Sequence, residues 1–175
     1  HPLFITRGVP GTHDIELMRA FFAALRAGAP LMLPRFDKGS DRRLPESTWE
    51  RVDAPLDLLV FEGWCLGVEA QTADALRVPA NAFETVEDPD ARWRGHVKAC
   101  LARDYPPLWA QIDVLAMLRA PSFAVVAGWR EQAETALRAS NATRAMSAVQ
   151  IRRFVMHYER LTARALATLP TIADV

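Results

Sequence analysis

The sequence is short of cysteine and has no surplus of charge, and each shortage excludes a class of protein. Its 2 cysteines are too few for a disulfide scaffold. The apolar neighbours of Cys65 and Cys100 instead predict buried thiols in the core of a cytoplasmic protein. Basic and acidic side chains are equal in number, 21 of each. A protein that mainly binds nucleic-acid phosphates needs a basic surplus, so we expect no nucleic-acid partner.

Long hydrophobic runs are also missing. The richest apolar stretch, 56–68, is interrupted by Asp57 and Glu62, whereas crossing a bilayer takes about 20 consecutive apolar residues. We therefore expect no membrane partner. Half of the 175 residues are apolar, which is enough for one hydrophobic core, and we predict a single domain over residues 1–175.

Lysine is scarce, because only Lys38 and Lys98 among the 21 basic residues are lysines and the rest are arginines. Two explanations stay open. A GC-rich genome favours arginine codons whatever the protein does. Arginine also suits anion binding, since its planar guanidinium pairs with phosphates and carboxylates through two parallel hydrogen bonds.

The apolar pattern predicts an α/β fold, because short apolar runs alternate with amphipathic stretches. Residues 56–61 and 112–118 are nearly continuous apolar runs, typical of strands buried on both faces of a parallel sheet. Residues 30–36 are predicted to be extended, and Gly28 to end the helix before them. The predicted helices are 14–27, 88–104, one beginning at Pro121, and 143–168.

Glu62 directly follows the first of these predicted strands. Ligands of open parallel sheets bind beyond the carboxyl ends of the strands, where a carboxylate can hold a magnesium ion or orient a reacting group. A structural interpretation is also open, in which Glu62 only caps a turn at the strand end.

A loop with the sequence TRGVPGTHD covers residues 6–14 and is dense in polar groups. Arg7 can pair with a carboxylate in a bidentate way, while His13 or Asp14 can accept hydrogen bonds from hydroxyls. This set predicts binding of a small hydroxy acid. The structural alternative is an ordered loop in which Asp14 caps the next helix.

A second charged loop, FDKGSDRR, covers residues 36–43. It is either a solvated loop of mixed charge or a clamp on substrate and phosphate. The side chains available to such a clamp include Asp37, Lys38 and Arg43.

Charged residues also recur at helical spacing in the second half of the chain. A surface ion-pair ladder is predicted at Arg130, Glu134 and Arg138. A cationic stripe is predicted on the last helix, at Arg153, His157, Arg160 and Arg164. A solvated face is the favoured interpretation of the stripe, and a lid over phosphates is the other.

Five segments together resemble the D-glycerate 3-kinase group of kinases: TRGVPGTHD, LPRFDKGSDRR, VFEGWCLG, WREQAE and YERLT. They stand in the same order, and the resemblance covers nearly all 175 residues. The group is related to phosphoribulokinase and uridine kinase. The resemblance implies a doubly wound parallel sheet of the P-loop NTPase type with helices on both faces. It also implies transfer of the γ-phosphoryl group of ATP, with Mg²⁺, to a hydroxyl of glycerate or a similar small acceptor.

The resemblance further implies roles for individual residues. Glu62 matches the acidic residue after the Walker B-like strand, which makes it the implied magnesium ligand and, with Asp14, a catalytic residue. Arg130 falls where a lid arginine reaches the ATP phosphates. The implied acceptor-binding residues are Arg7, His13, Asp37, Lys38 and Arg43.

The phosphate-binding loop of such kinases does not occur in the 175 residues. No GxxxxGK run followed by Ser or Thr is present, and that run binds the ATP phosphates. Because the chain also begins with His1, we expect it to be the C-terminal two-thirds of a kinase, inactive by itself. The alternative is a catalytically inactive binding protein on a degenerate kinase scaffold.

The resemblance places the missing strand between 56–61 and 112–118, where its absence leaves two bare strand edges. Unpaired buried backbone groups are costly, so something must satisfy them. Three outcomes are open: an N-terminal segment fills the gap, a second copy of the chain fills it in a homodimer, or the two strands close up on each other.

Overall fold

A computed structural model describes residues 1–37, 40, 42–139 and 146–175. These residues divide into two compact units, His1–His13 with Gly63–Val175, and Asp14–Glu62. Lys38, which the resemblance assigns to the acceptor, lies outside the described residues. Along the part that is described, no helix is both long enough and apolar enough to cross a membrane.

The smaller unit packs one helix against a short antiparallel sheet. Helix α1 (Ile15–Arg26) starts after Asp14, whose carboxylate accepts a hydrogen bond from the Leu17 amide. It ends before Gly28, which has a φ of +62°. The strands are β1 (Leu31–Leu33), paired with β4 (Glu50–Val52), and β2 (Phe36–Asp37), paired with β3 (Arg42–Arg43). The predicted first helix and the extended segment after it are confirmed.

The larger unit is helical and holds most of the buried side chains. Its helices are α2 (Ala82–Glu87), α3 (Arg92–Asp104), α4 (Pro106–Trp109), α5 (Ala124–Ala139) and α6 (Ala148–Thr168). The core is built from Val9, Val68, Phe83, Trp93, Val97, Leu101, Leu108, Ile151, Val155 and Leu161. Cys65 and Cys100 are buried free thiols, as predicted. The structure is thus α/β with few, short strands and many helices.

Three helices begin later than predicted. α3 begins at Arg92 instead of 88, because the Asp88 carboxylate accepts the amides of Trp93 and Arg94 and so caps the helix from outside. α5 begins at Ala124 instead of Pro121. The start of α6 is fixed by a reciprocal capping box between Ser147 and Gln150.

The two long strands predicted for a parallel sheet are absent from the described residues. Residues 56–61 and 112–118 belong to no strand, and both observed pairings are antiparallel and two-stranded. Within 112–118, backbone hydrogen bonds join Leu115 and Met117 to the chain end at Asp174 and Val175. Apolar side chains of both segments are exposed, at Leu58, Val60, Val114 and Leu118. A strand needs a hydrogen-bonded neighbour, and the apolar pattern alone does not supply one.

The cationic stripe of α6 is solvated only in part, because His157 and Arg160 in its middle face a neighbouring helix while Arg153 is exposed. His157 is 3% exposed and the Arg160 side chain 11%. Arg160 donates hydrogen bonds to both carboxylate oxygens of Glu84, a fully buried residue of α2, and Arg153 pairs with Glu87 of the same helix. The stripe therefore joins α6 to α2 through ion pairs.

The predicted ladder on α5 lies at the surface only in part. Arg130 pairs with Glu134, but Glu134 is buried. The second Glu134 oxygen accepts the Met146 amide at 2.7 Å, and Arg138 donates to the Met146 carbonyl at 2.9 Å. The ladder thus ties α5 to the residues just before α6.

His157 gives the protein a pH-dependent stability. Its ring stacks at a tilt on Phe83, with centroids 4.1 Å apart, and stands perpendicular to Trp93. Burial lowers the His157 pKa below its ordinary value of 6.5, so the unfolded chain binds a proton that the folded chain resists. This contribution to stability is complete above pH 6.5 and is lost as the pH falls through the folded-state pKa. We expect the free energy of unfolding, measured in urea, to fall on acidification below pH 6.5.

A matched variant tests this origin. His157→Phe keeps an aromatic ring in the cluster and removes the titrating group, so its unfolding free energy should depend less steeply on pH. An equal slope in the variant and the parent would contradict the assignment to His157.

Candidate functional site

The smaller unit brings the second charged loop onto the start of α1. The β2–β3 hairpin sets Phe36 opposite Arg43 and Asp37 opposite Arg42. From this hairpin the Arg43 guanidinium donates a hydrogen bond to Oδ2 of Asp14, over a distance of 2.5 Å. Two predicted site residues, 29 positions apart in sequence, are therefore in direct contact.

The Asp14 carboxylate is held in its ionised form. The Leu17 amide lowers the pKa of Asp14 most, and the hydrogen bond from Arg43 lowers it further. Both side chains of the pair are 42% exposed, so a ligand can reach the free edges of the guanidinium and the carboxylate. An ionised carboxylate beside a guanidinium can accept a hydroxyl proton in a hydrogen bond while the cation binds an anion.

Asp37 and Glu62 are the other predicted site residues of this unit. Asp37 accepts hydrogen bonds from the Ser40 amide at 3.1 Å and the Ser40 hydroxyl at 2.5 Å. Glu62 is an exposed carboxylate at the end of the unit. Asp37 therefore supports the hairpin that carries Arg43, whereas Glu62 is open to a ligand.

In the larger unit, aromatic side chains hold the backbone of the first charged loop. The Tyr158 hydroxyl donates to the Arg7 carbonyl at 2.7 Å, and the Trp64 indole donates to the Gly8 carbonyl at 2.9 Å. The two rings meet edge to face, with centroids 5.2 Å apart. These contacts fix the backbone at Arg7 while its side chain is exposed.

His13 closes the other end of this loop. Its Nδ1 lies 2.6 Å from the hydroxyl of Tyr105, a core residue that is 1% exposed. Burial lowers the pKa of His13, against the opposing effect of the Gly8 carbonyl. The imidazole is therefore neutral near pH 7. The sequence analysis missed Trp64, Tyr105 and Tyr158, although Trp64 and Tyr158 stand in the quoted segments VFEGWCLG and YERLT.

Gly11 is required at the turn of this loop. Its φ is +94°, and an added Cβ would lie 3.2 Å from the Cys100 Sγ and 3.3 Å from the His96 ring. We expect Gly11→Ala to lower the free energy of unfolding by about 2–3 kcal/mol, from backbone strain and overpacking together. Urea denaturation followed by circular dichroism measures this change.

Gly28 provides the control, because its φ is also positive but a Cβ there meets nothing within 4 Å. Gly28→Ala should cost only about 1 kcal/mol, the strain of the left-handed conformation alone. Equal losses in the two variants would show that crowding against Cys100 and His96 contributes nothing.

Arg130 is engaged within the larger unit. It pairs with Glu134, and its guanidinium carbon lies 5.2 Å from the centre of the Phe154 ring. Its Nε is buried without a partner, and its side chain is 38% exposed. The cation is thus oriented by α5 and α6 and partly open to a ligand.

A metal site made of protein side chains alone is not found in the described ranges. No cluster of three or more His, Cys, Asp or Glu side chains there could hold a metal ion. Mg²⁺ commonly takes only one or two carboxylates together with substrate phosphates and waters. The exposed Glu62 fits that donor set only when a phosphate ligand supplies the remaining oxygens.

The chain is similar to three curated proteins, whereas it matches no protein-family profile. It is 29% identical over 161 residues to "D-glycerate 3-kinase, chloroplastic" of Arabidopsis thaliana. It is 31% identical over 170 residues to "Uncharacterized kinase mug58" of Schizosaccharomyces pombe. A shorter match, 32% over 71 residues, is to "Probable ATP-dependent kinase TDA10" of Saccharomyces cerevisiae.

These matches cover much of the chain but only part of each relative. They span 87%, 90% and 35% of the chain, and 32%, 58% and 24% of the three relatives in the same order. One solved structure, "Structure of YGR205w protein", shares the fold with a TM-score of 0.64 at 24% identity. That likeness covers 99% of the chain and 64% of the solved chain.

Proposed function

We propose that the chain forms the acceptor side of an ATP-dependent small-molecule kinase, because it is similar over most of its length to a D-glycerate 3-kinase and to a second kinase. The reaction would move the γ-phosphoryl group of ATP to a hydroxyl of glycerate or of a similar hydroxy acid. The Asp14–Arg43 contact carries the proposal, because it joins two of the segments on which the resemblance rests.

The chemistry of this contact suits a hydroxy acid. Arg43 supplies a guanidinium for the carboxylate of the acceptor, and the ionised Asp14 supplies an acceptor for its hydroxyl. The lowered pKa of Asp14 makes it a weak base, so its part is to orient the hydroxyl and not to remove its proton. The resemblance also assigns Arg7 and His13 to acceptor binding, and Asp37 supports the hairpin.

ATP with Mg²⁺ would supply the phosphoryl group and the charge neutralisation that its transfer requires. Glu62 would hold the metal ion together with phosphate oxygens, and Arg130 would contact the phosphates from α5. Arg130 is already paired with Glu134, so binding of phosphates would compete with that ion pair.

The proposal includes a complete parallel sheet of the P-loop type. The exposed side chains of Leu58 and Val60, and those of Val114 and Leu118, support it. Exposed apolar residues at the segments 56–61 and 112–118 are the expected result when the strand that pairs with each segment is not in the chain.

A phosphoryl-transfer assay tests the function. The chain is assayed alone and with the phosphate-binding segment of a related kinase joined to its N-terminus, using ATP, Mg²⁺ and a panel of D-glycerate, L-glycerate, glycolate and D-lactate. ADP release above the ATP-only background is expected from the extended protein. Glycerol is the matched control, because it keeps the hydroxyls and lacks the carboxylate for Arg43. Failure of the extended protein with every hydroxy acid would overturn the proposal.

A binding protein without kinase activity is the second candidate, favoured by the absence of a phosphate-binding loop from the 175 residues. Titration calorimetry of the chain with Mg²⁺ and ATP tests this second candidate. Micromolar ATP affinity of the chain alone would exclude a scaffold that has lost its nucleotide site.

A further inference from the structure

Tyr105 stands behind His13 at the end of the first charged loop. Its hydroxyl lies 2.6 Å from His13 Nδ1, and the two rings meet edge to face with centroids 5.9 Å apart. Tyr105 itself sits in the core at the end of α3, with 1% exposure, so its hydroxyl cannot move to a new partner without disturbing that core.

The direction of the hydrogen bond follows from the donors present. Burial raises the pKa of Tyr105 well above its ordinary value, so the phenol keeps its proton. A buried hydroxyl proton without an acceptor is costly. His13 Nδ1 lies within hydrogen-bond distance of the phenolic oxygen, so the phenolic proton goes to His13 Nδ1. The neutral imidazole then carries its own hydrogen on Nε2.

We propose that Tyr105 is a positioning residue that holds His13 as the Nε2–H tautomer, so that His13 serves the acceptor only as a hydrogen-bond donor. An oxygen of a hydroxy acid is the group such a donor recognises. The inference rests on the proposed function for the role of His13 toward the acceptor. The tautomer itself is a property of the chain and is measurable without any substrate.

Nitrogen-15 NMR of the four histidines reads the tautomer directly, with the His13 signals assigned from a His13→Gln variant. In the parent chain, His13 is expected to be neutral at pH 7 with its hydrogen on Nε2. Tyr105→Phe keeps the ring and removes the hydroxyl, so both tautomers should become populated and the His13 pKa should rise. A parent chain with the hydrogen on Nδ1 overturns the proposal even where the variant fails to fold.

Tyr158→Phe is the matched control for this measurement, because Tyr158 is the one other tyrosine of the sequence and donates to the same loop at the Arg7 carbonyl. It should leave the His13 tautomer unchanged. A shift of the same size in both tyrosine variants would show a general effect of loosening the loop, and would overturn the specific role of Tyr105.

The kinetic consequence is measured in the extended kinase, that is, the chain with the phosphate-binding segment of a related kinase joined to its N-terminus. Tyr105→Phe should raise KM for the hydroxy acid roughly fivefold, the worth of one net hydrogen bond, with kcat changed less than KM. If both His13 tautomers become populated in Tyr105→Phe but KM is unchanged, the proposed link between Tyr105 and acceptor binding is overturned. If no hydroxy acid is phosphorylated at all, the proposed function fails, while the NMR result still decides the contact between Tyr105 and His13.

Discussion

Arg160→Met is expected to lower the free energy of unfolding by about 3 kcal/mol or more, because it leaves a buried carboxylate without its main partner. Arg160 donates to both oxygens of Glu84 and to the carbonyls of Ala75 and Val78. The Glu84 carboxylate would retain the Ala80 amide at 2.8 Å and Arg94 at 3.9 Å. Methionine keeps the apolar stem, so the loss measures the missing charge and hydrogen bonds.

Two further variants make this prediction specific. Arg152→Met, at an exposed position of the same helix, should change the unfolding free energy by no more than about 0.5 kcal/mol. Adding Glu84→Gln to Arg160→Met should recover part of the loss, because the uncompensated charge is then gone. Urea denaturation measures all of them. A loss below about 1 kcal/mol for Arg160→Met would mean that water or Arg94 already compensates Glu84.

Local signals in the sequence predict the parts of the fold that depend on neighbours in the chain. Asp14 caps α1 and Gly28 follows its end, as their positions suggest. Pro106 and Pro107 end α3, since proline cannot continue a helix without losing a backbone donor. In each case the deciding residues lie within about one helical turn of the boundary they set.

Features that depend on distant partners could not be predicted in this way. The stripe on α6 has the periodicity of a solvated face, and only the folded chain shows that Glu84 and Glu87 lie opposite it. The apolar segments 56–61 and 112–118 have the composition of buried strands, yet a strand also needs a neighbour to pair with. Composition reports how well a side chain tolerates burial, whereas pairing is decided by residues elsewhere.

In the candidate site, too, some residues could be predicted from the sequence and others could not. The charged residues of the site could be recognised from the sequence because a guanidinium or carboxylate group is seldom buried in an apolar core. Their supports could not be recognised, because Tyr158 lies 151 positions from Arg7 and Tyr105 lies 92 from His13. An aromatic residue on a helix reads as core packing, and its hydroxyl reveals a second task only when the loop is folded against it.

Asp14→Asn is expected to raise KM for the hydroxy acid in the extended kinase by about 10- to 100-fold, while the chain keeps its stability. The carboxylate makes charge-assisted hydrogen bonds, and each such bond contributes about 1.5–3 kcal/mol. Asparagine caps a helix about as well as aspartate, so α1 should be unaffected. Asp14→Ala should raise KM in the same way and should also lower the free energy of unfolding by about 1 kcal/mol, because alanine cannot cap the helix. Steady-state kinetics and urea denaturation separate the two roles.

The dependence of Asp14 on Arg43 is decided by a double-mutant cycle. Because the two side chains are in direct contact, the double variant Asp14→Asn with Arg43→Ala should be less impaired than the product of the single effects. Glu16→Gln, a neutralisation in the first turn of the same helix, should leave the kinetics unchanged. An active kinase in which Asp14→Asn leaves KM and kcat untouched would reduce Asp14 to a helix cap and remove the contact on which acceptor binding is founded.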